Sequence, residues 1–157
     1  MVFGILRRKR EKRGPLVYLS EPTILYHTQT EKLILEIIEE KLDSTNVIVP
    51  SDYGIKDVSD RIAEAEYLVA VAIYGKFSSL VCREVEKARS YKKRIYTIDI
   101  ASKKDDEITY YFEEGVPEHI EWLNEEETRE FFDRFLGDDF IGMSFRGFFL
   151  GYRKKTW

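Results

Sequence analysis

Tyr67–Ile73 (YLVAVAI) is continuously apolar in an otherwise charged chain. Such a run predicts a strand buried on both faces, as in a parallel sheet. Shorter apolar clusters flank it at regular intervals. Leu16–Leu19 predicts a first strand, followed by a loop through Ser20-Glu21-Pro22. From about Thr28, the residues Leu33, Ile34, Ile37, Ile38 and Leu42 recur at helical spacing, so Thr28–Leu42 is expected to be an amphipathic helix. Val47–Val49 reads as a short strand ended by Pro50, and Asp57 or Ser59 caps a brief helix carrying Ile62 and Ala65. Ser79–Tyr91 is expected to be a helix with Val81, Val85 and Ala88 facing the sheet, and Arg94–Ile98 a further strand. This alternation predicts an α/β fold: a doubly wound parallel sheet of about four to five strands with right-handed crossovers.

The pattern loosens after Ala101. Lys103–Glu107 reads as a charged, solvated loop rather than a metal site, and Thr109–Phe112 as a short strand or turn. Asn124 caps an acidic helix, Glu125–Leu136, whose apolar face is Phe131, Phe132 and Phe135. The ending, Phe140–Trp157, interleaves glycines with Phe145, Phe148, Phe149, Tyr152 and Trp157, and is expected to pack on the sheet or on a partner subunit as a homo-oligomer. The organisation is therefore a basic tail over 1–14 and one α/β domain over 15–157. Within that domain, 16–100 forms the core and 101–157 a helical, aromatic-rich C-terminal extension.

Charge sharpens this division. Residues 1–13 carry a net of +5 against −4 for the whole chain, so the rest holds −9. An acidic body is a poor match for nucleic acid, which is gripped by clustered Lys and Arg. The tail alone could touch an anionic surface, although its expected state is a disordered, solubilising terminus. Its apolar opening precedes the basic run, the reverse of a secretory signal. No apolar run is long enough to span a bilayer. One cysteine, Cys82, and two histidines, His27 and His119, make neither a disulfide framework nor a Cys/His zinc site, and a reducing cytoplasm is the expected location. Abundant Glu, Lys, Arg and Ile with little Asn lean towards a thermophile. No metal or cofactor is expected.

The chemistry-bearing candidates cluster around the long apolar run. At about 100° per residue, Glu84 sits about 60° off the apolar axis of its helix, while Glu86 lies roughly 140° away, towards solvent. A carboxylate beside the core near the C-terminal end of a strand is where open α/β sheets place chemistry. Ser78 and Ser79 are N-cap candidates of the same helix, where a phosphate or ribose hydroxyls could rest. Cleaving a nucleoside N-glycosidic bond needs a carboxylate at the anomeric carbon and a second acid to help the base leave. Glu84 and Asp60 are the catalytic candidates for these two roles. Tyr18, Ser20 and Glu21, at the end of the first strand, join Ser78 and Ser79 as candidate substrate contacts. On the bland reading, Glu84 is a surface residue pairing with Lys87, Asp60 an ordinary helix-start acid, and the serines simple caps.

Val17-Tyr18-Leu19-Ser20-Glu21-Pro22 resembles the Y-L-A-G-P opening of nucleoside 2-deoxyribosyltransferase-like proteins. Asp60, Ala65-Glu66, Tyr67–Ile73, Ser78-Ser79 and Glu84 with Ala88 resemble that family's later pattern, so the likeness spans roughly residues 16–100. It implies a flavodoxin-like sheet, a catalytic glutamate at Glu84, assistance to the leaving base from Asp60 and a phosphate or sugar contact at Ser78. Glu21 stands where that family has glycine, Glu66 where it usually has Asp, and the usual glycine before the glutamate helix is lacking. Ser79-Leu80-Val81-Cys82-Arg83-Glu84 also resembles the serine-cysteine segment of TIR domains, which implies an NAD-cleaving alternative. The expected ligand is thus a nucleoside, a nucleotide or NAD. The remaining alternative is a non-catalytic module that binds a nucleotide or a protein. A metal-dependent nuclease built on Glu84, Glu86 and Asp60 is disfavoured by the acidic body and by the angle between the two glutamates.

Overall fold

A computed structural model describes residues 11–104 and 107–137. The first strand, β1 (Val17–Ser20), leads through a 3-10 turn, Thr23–Leu25, into helix α1 (Gln29–Leu42). Thr28 is its N-cap, accepting a hydrogen bond from the Glu31 backbone N–H at 3.2 Å. Strand β2 (Val47–Ile48) is followed by two 3-10 segments, Pro50–Tyr53 and Ser59–Glu64, the second standing where the brief helix was expected. Then come β3 (Tyr67–Ile73), β4 (Lys76–Phe77), α2 (Ser79–Ser90), β5 (Arg94–Lys104), β6 (Glu107–Glu114), β7 (Glu121–Trp122) and α3 (Glu125–Gly137).

The fold is mixed α/β with a mostly parallel open sheet. Its parallel block runs β2-β1-β3-β5, in registers such as Val17 with Val47, Val17 with Tyr67, and Tyr67 with Arg94. β3 lies in the middle of this block, which is why its residues from Leu68 onward are buried whichever way they point. The helices cover both faces. On one side Ile34, Ile37 and Ile38 of α1 pack with Val17, Leu19, Val69 and Val71. On the other, Val81, Val85 and Ala88 of α2 pack with Tyr18, Leu68, Ala70 and Ala72. β1 therefore sends odd residues to α1 and even residues to α2, as the two-residue period of a strand requires. No helix among the described residues is long and apolar enough to cross a membrane.

Several strands depart from the expectations. β5 continues to Lys104 and pairs antiparallel with the eight-residue β6, so most of the expected charged loop is strand. A register shift between Ile100 and Ser102 marks a bulge in β5. β4 and β7 extend the sheet beyond the four to five strands read from the sequence, to seven. β3 turns into β4 through Tyr74 and Gly75, both at positive φ (52° and 73°), the geometry of a tight two-residue hairpin. The C-terminal helix is present, with Asn124 and Glu127 capping each other reciprocally at 2.8 and 2.9 Å. Phe131 and Phe132 are buried as expected. The side chain of Phe135, the expectations for residues 1–10 and 138–157, and Asp105-Asp106 lie outside the described residues.

Candidate functional site

Two even-numbered residues of β1 point at one residue of α2. The Tyr18 hydroxyl donates to Glu84 Oε2 at 2.8 Å, and the Ser20 hydroxyl donates to Oε1, also at 2.8 Å. Strand alternation sets both hydroxyls on the same face, and the edge position of Glu84 on α2 brings its carboxyl down to meet them. Glu84 is 6% exposed, and burial raises its pKa above the ordinary range while the hydrogen bonds from Ser20 and Tyr18 oppose that rise. Tyr18 is wholly buried, and desolvation followed by the Glu84 carboxylate pushes its hydroxyl far above the usual tyrosine range, so it stays a donor. Glu86 is exposed and lies near Arg89.

Tyr18 and Glu84 line a cleft of about 790 Å³, within the range of small-molecule sites. The first 3-10 turn contributes Thr23 and Ile24, and the segment after β2 contributes Pro50 and Gly54 to Ser59. Asp57 lies on this wall. Its carboxyl is held below the usual range by the Ser59 backbone N–H, which donates to Oδ1 at 2.9 Å. Sequence reasoning had this residue only as a helix cap.

Asp60 is elsewhere. Its side chain is 94% exposed, is paired with Lys87 Nζ at 2.8 Å, and is not among the residues lining the cleft. Lys87 also donates to Ser59 Oγ at 3.2 Å, so the partner foreseen for Glu84 holds the 3-10 segment instead.

Ser78 is the N-cap of α2, its hydroxyl accepting the Val81 N–H at 3.4 Å. Ser79 begins the helix, and its own N–H is taken by Thr128 Oγ1 of α3 at 2.9 Å. Both serines line a second hollow of about 340 Å³, with Arg83, Arg129 and Thr128 on its walls. Thr23, Leu80 and Arg83 line both spaces, so the hollow is an annex to the Glu84 cleft.

Glu21 lies behind the site rather than on its surface. It is 1% exposed, and neither of its oxygens has a hydrogen-bond partner among the described residues. Burial holds its pKa well above the carboxylate range, and the neighbouring Glu31 and Glu84 add to the shift. Both Glu31 oxygens are already engaged, Oε2 by the Ser51 hydroxyl at 2.7 Å and Oε1 by the His27 N–H at 3.2 Å. Burial beside two other buried glutamates therefore favours the neutral, protonated form of Glu21.

Cys82 is half-buried, with Sγ 3.8 Å from the carbonyls of Phe77 and Leu123, and burial raises its thiol pKa. Among the described residues no group of three or more His, Cys, Asp and Glu is placed to hold a metal ion. The structure thus brings Tyr18, Ser20 and Glu84 into direct contact, sets Ser78 and Ser79 in the annex, and leaves Asp60 outside. No protein-family model matches this sequence, and no curated protein matches it at a significant level.

Proposed function

We propose that the cleft breaks the N-glycosidic bond of a nucleoside or nucleotide, by transfer or hydrolysis, with Glu84 facing the anomeric carbon. One observation carries this reading: a buried carboxyl opens onto a cleft of about 790 Å³ with each oxygen held by one hydroxyl. Two donors aim the carboxyl and favour its ionised form, while its burial strengthens its interaction with positive charge developing on the sugar. As nucleophile, Glu84 would form a bond to the anomeric carbon as the bond to the base breaks, and the bonding pair would leave with the base, which would take its proton from water in the cleft. Water or an acceptor base would then release the sugar.

Asp57 takes the place in the cleft that was expected of Asp60. Its lowered pKa keeps it ionised, which suits holding ribose hydroxyls or countering positive charge better than delivering a proton. The annex suits a phosphate, since Arg83 and Arg129 accompany the hydroxyls of Ser78 and Ser79, with Glu125 near Arg83 on the same wall. This reading keeps the likeness to nucleoside 2-deoxyribosyltransferase-like proteins, and the β2-β1-β3-β5 order supports a flavodoxin-like arrangement. A second reading, NAD cleavage, is favoured by the annex itself, because the joined spaces offer room for a second phosphate-bearing half.

The test is base release from a panel of deoxynucleosides, their 5′-monophosphates and NAD, with Glu84→Ala as control. Release that disappears in Glu84→Ala, with unfolding cooperativity retained, supports the reading. Release of nicotinamide alone selects the second one. Equal rates with and without Glu84 overturn both, and binding without turnover leaves a non-catalytic nucleotide module.

A further inference from the structure

Ile55 is the large apolar residue most completely open to solvent among the described residues, and it lines the same cleft as Glu84. A single exposed aliphatic side chain is ordinary on a protein surface. Three features separate this one from that background.

The first is how it is held out. Gly54 precedes it at φ 67°, ψ −127°, a conformation that a residue with a Cβ avoids, and no atom lies within 4 Å of where that Cβ would be. Crowding therefore does not explain the glycine, and the backbone direction does. The second is that the flanks are tied down. The Lys56 N–H bonds the Tyr53 carbonyl at 3.3 Å, and Arg61 Nη1 donates to the Tyr53 hydroxyl at 2.9 Å. On the other side, the Ser59 N–H holds Asp57. The loop thus presents Ile55 from a fixed frame. The third is the company it keeps. Ile24, Pro50, Val58, Leu80 and the ring of Tyr26 supply apolar lining to the same space, beside the charged Lys56, Asp57, Arg83 and Glu84.

We propose that Ile55 is a specificity-determining residue that covers the flat apolar face of the ligand's base. This rests on the nucleoside reading of the Glu84 cleft and adds the part of the ligand that the loop selects. A sugar or sugar phosphate offers hydroxyls and charge to Glu84, Asp57 and the annex, and nothing for Ile55 to cover. A purine or pyrimidine ring offers the apolar surface that would remove Ile55 from water. The flanking bonds reduce the backbone ordering that binding requires, which leaves chiefly the Ile55 side chain to be ordered.

The test is calorimetric titration of the full chain and of Ile55→Ala with the four deoxynucleoside 5′-monophosphates and with 2-deoxyribose 5-phosphate. Sedimentation of both proteins is recorded in parallel. The expected result is an approximately tenfold weaker Kd for at least one nucleotide in Ile55→Ala, with sugar phosphate affinity within about twofold of the parent and sedimentation unchanged. Equal nucleotide affinity in the two proteins overturns the role of Ile55 while leaving Glu84-dependent base release standing. Equal losses for nucleotide and sugar phosphate overturn it as well, since the loop then supports the whole site. A change in sedimentation without a change in nucleotide affinity makes Ile55 a self-association contact and overturns it too. If the parent protein neither binds nor cleaves any nucleotide, the nucleoside reading fails and takes this inference with it.

Discussion

The Tyr18 hydroxyl and Glu84 Oε2 are 2.8 Å apart in the folded chain and 66 residues apart in sequence. This bond ties the first strand to the helix after the fourth, across the face where the cleft opens. Tyr18→Phe removes the donor and leaves a buried carboxylate oxygen unpaired, which costs about 1–3 kcal/mol of stability. It also removes one of the two bonds that favour the ionised form, so the Glu84 pKa moves further up. We expect base release about 10- to 100-fold slower near neutrality, with partial recovery at higher pH. Thermal unfolding and a pH–rate profile check the two parts separately.

On the proposed reading, the acid limb of the parent protein's rate profile should itself be displaced. With Glu84 acting as an ionised group, base release rises with pH through a value above the ordinary glutamate pKa of about 4.3. Glu84→Gln should abolish that limb along with the activity. A rate that instead falls as pH rises through the same region would assign Glu84 the role of proton donor and give Asp57 the ionised one.

Asp57 and Asp60 provide a paired control. Asp57→Asn removes an ionised group from the cleft wall and should slow base release by about tenfold or more. Asp60→Asn touches an exposed ion pair with Lys87 and should leave the rate within about twofold. Steady-state kinetics of the two variants decide the matter, and the opposite ranking would restore Asp60 as the second acid.

Glu21 should make the protein lose stability as pH rises. Its folded pKa is raised, so the native state keeps a proton that the unfolded chain releases above about pH 4.3. The contribution is fully present below that pH and is lost as pH rises through the folded value. Glu84, also raised, acts in the same direction. Glu21→Gln removes one titrating proton from a similar shape. The stability gap between parent and variant should therefore shift in favour of the variant by up to about 1.4 kcal/mol per pH unit within that window. Urea denaturation at several pH values measures the gap, and one that is constant with pH would show that Glu21 is not held neutral.

The parts of this site that were legible in the sequence are those set by short-range periodicity. The run Tyr67–Ile73 and the 3.6-residue spacing of Val81, Val85 and Ala88 located β3 and α2, and the same angles put Glu84 inward and Glu86 outward. Asp60 was chosen for its place at the head of a short helix, but the Ser59–Glu64 segment is 3-10, and that place alone does not say which way the side chain points. The segment's pairing through Lys87 then fixed Asp60 outside the cleft. The β5–β6 hairpin had a signal in the alternation of Ile108, Tyr110 and Phe112, which pack inward, with Thr109 and Tyr111 between them. The charges at Lys103, Lys104 and Glu107 obscured it. The contact of Tyr18 and Ser20 with Glu84 was not legible as a bond. It depends on β1, β3 and α2 being packed in one register, and no local pattern specifies that.

The long β5 strand also bears on the order in which the molecule assembles. Its antiparallel pairing with β6 joins residues close in sequence, such as Lys104 and Glu107, whereas β1 must find β3 across the separation of Val17 and Tyr67. Loop closure disfavours the second pairing far longer than the first, so the hairpin is expected to form early and the β1–β3 ladder late. The Glu84 carboxyl can be enclosed only once that ladder is complete. A chain arrested before that step would carry most of its secondary structure and no functional cleft, which makes ligand binding in a refolding experiment the last signal to return.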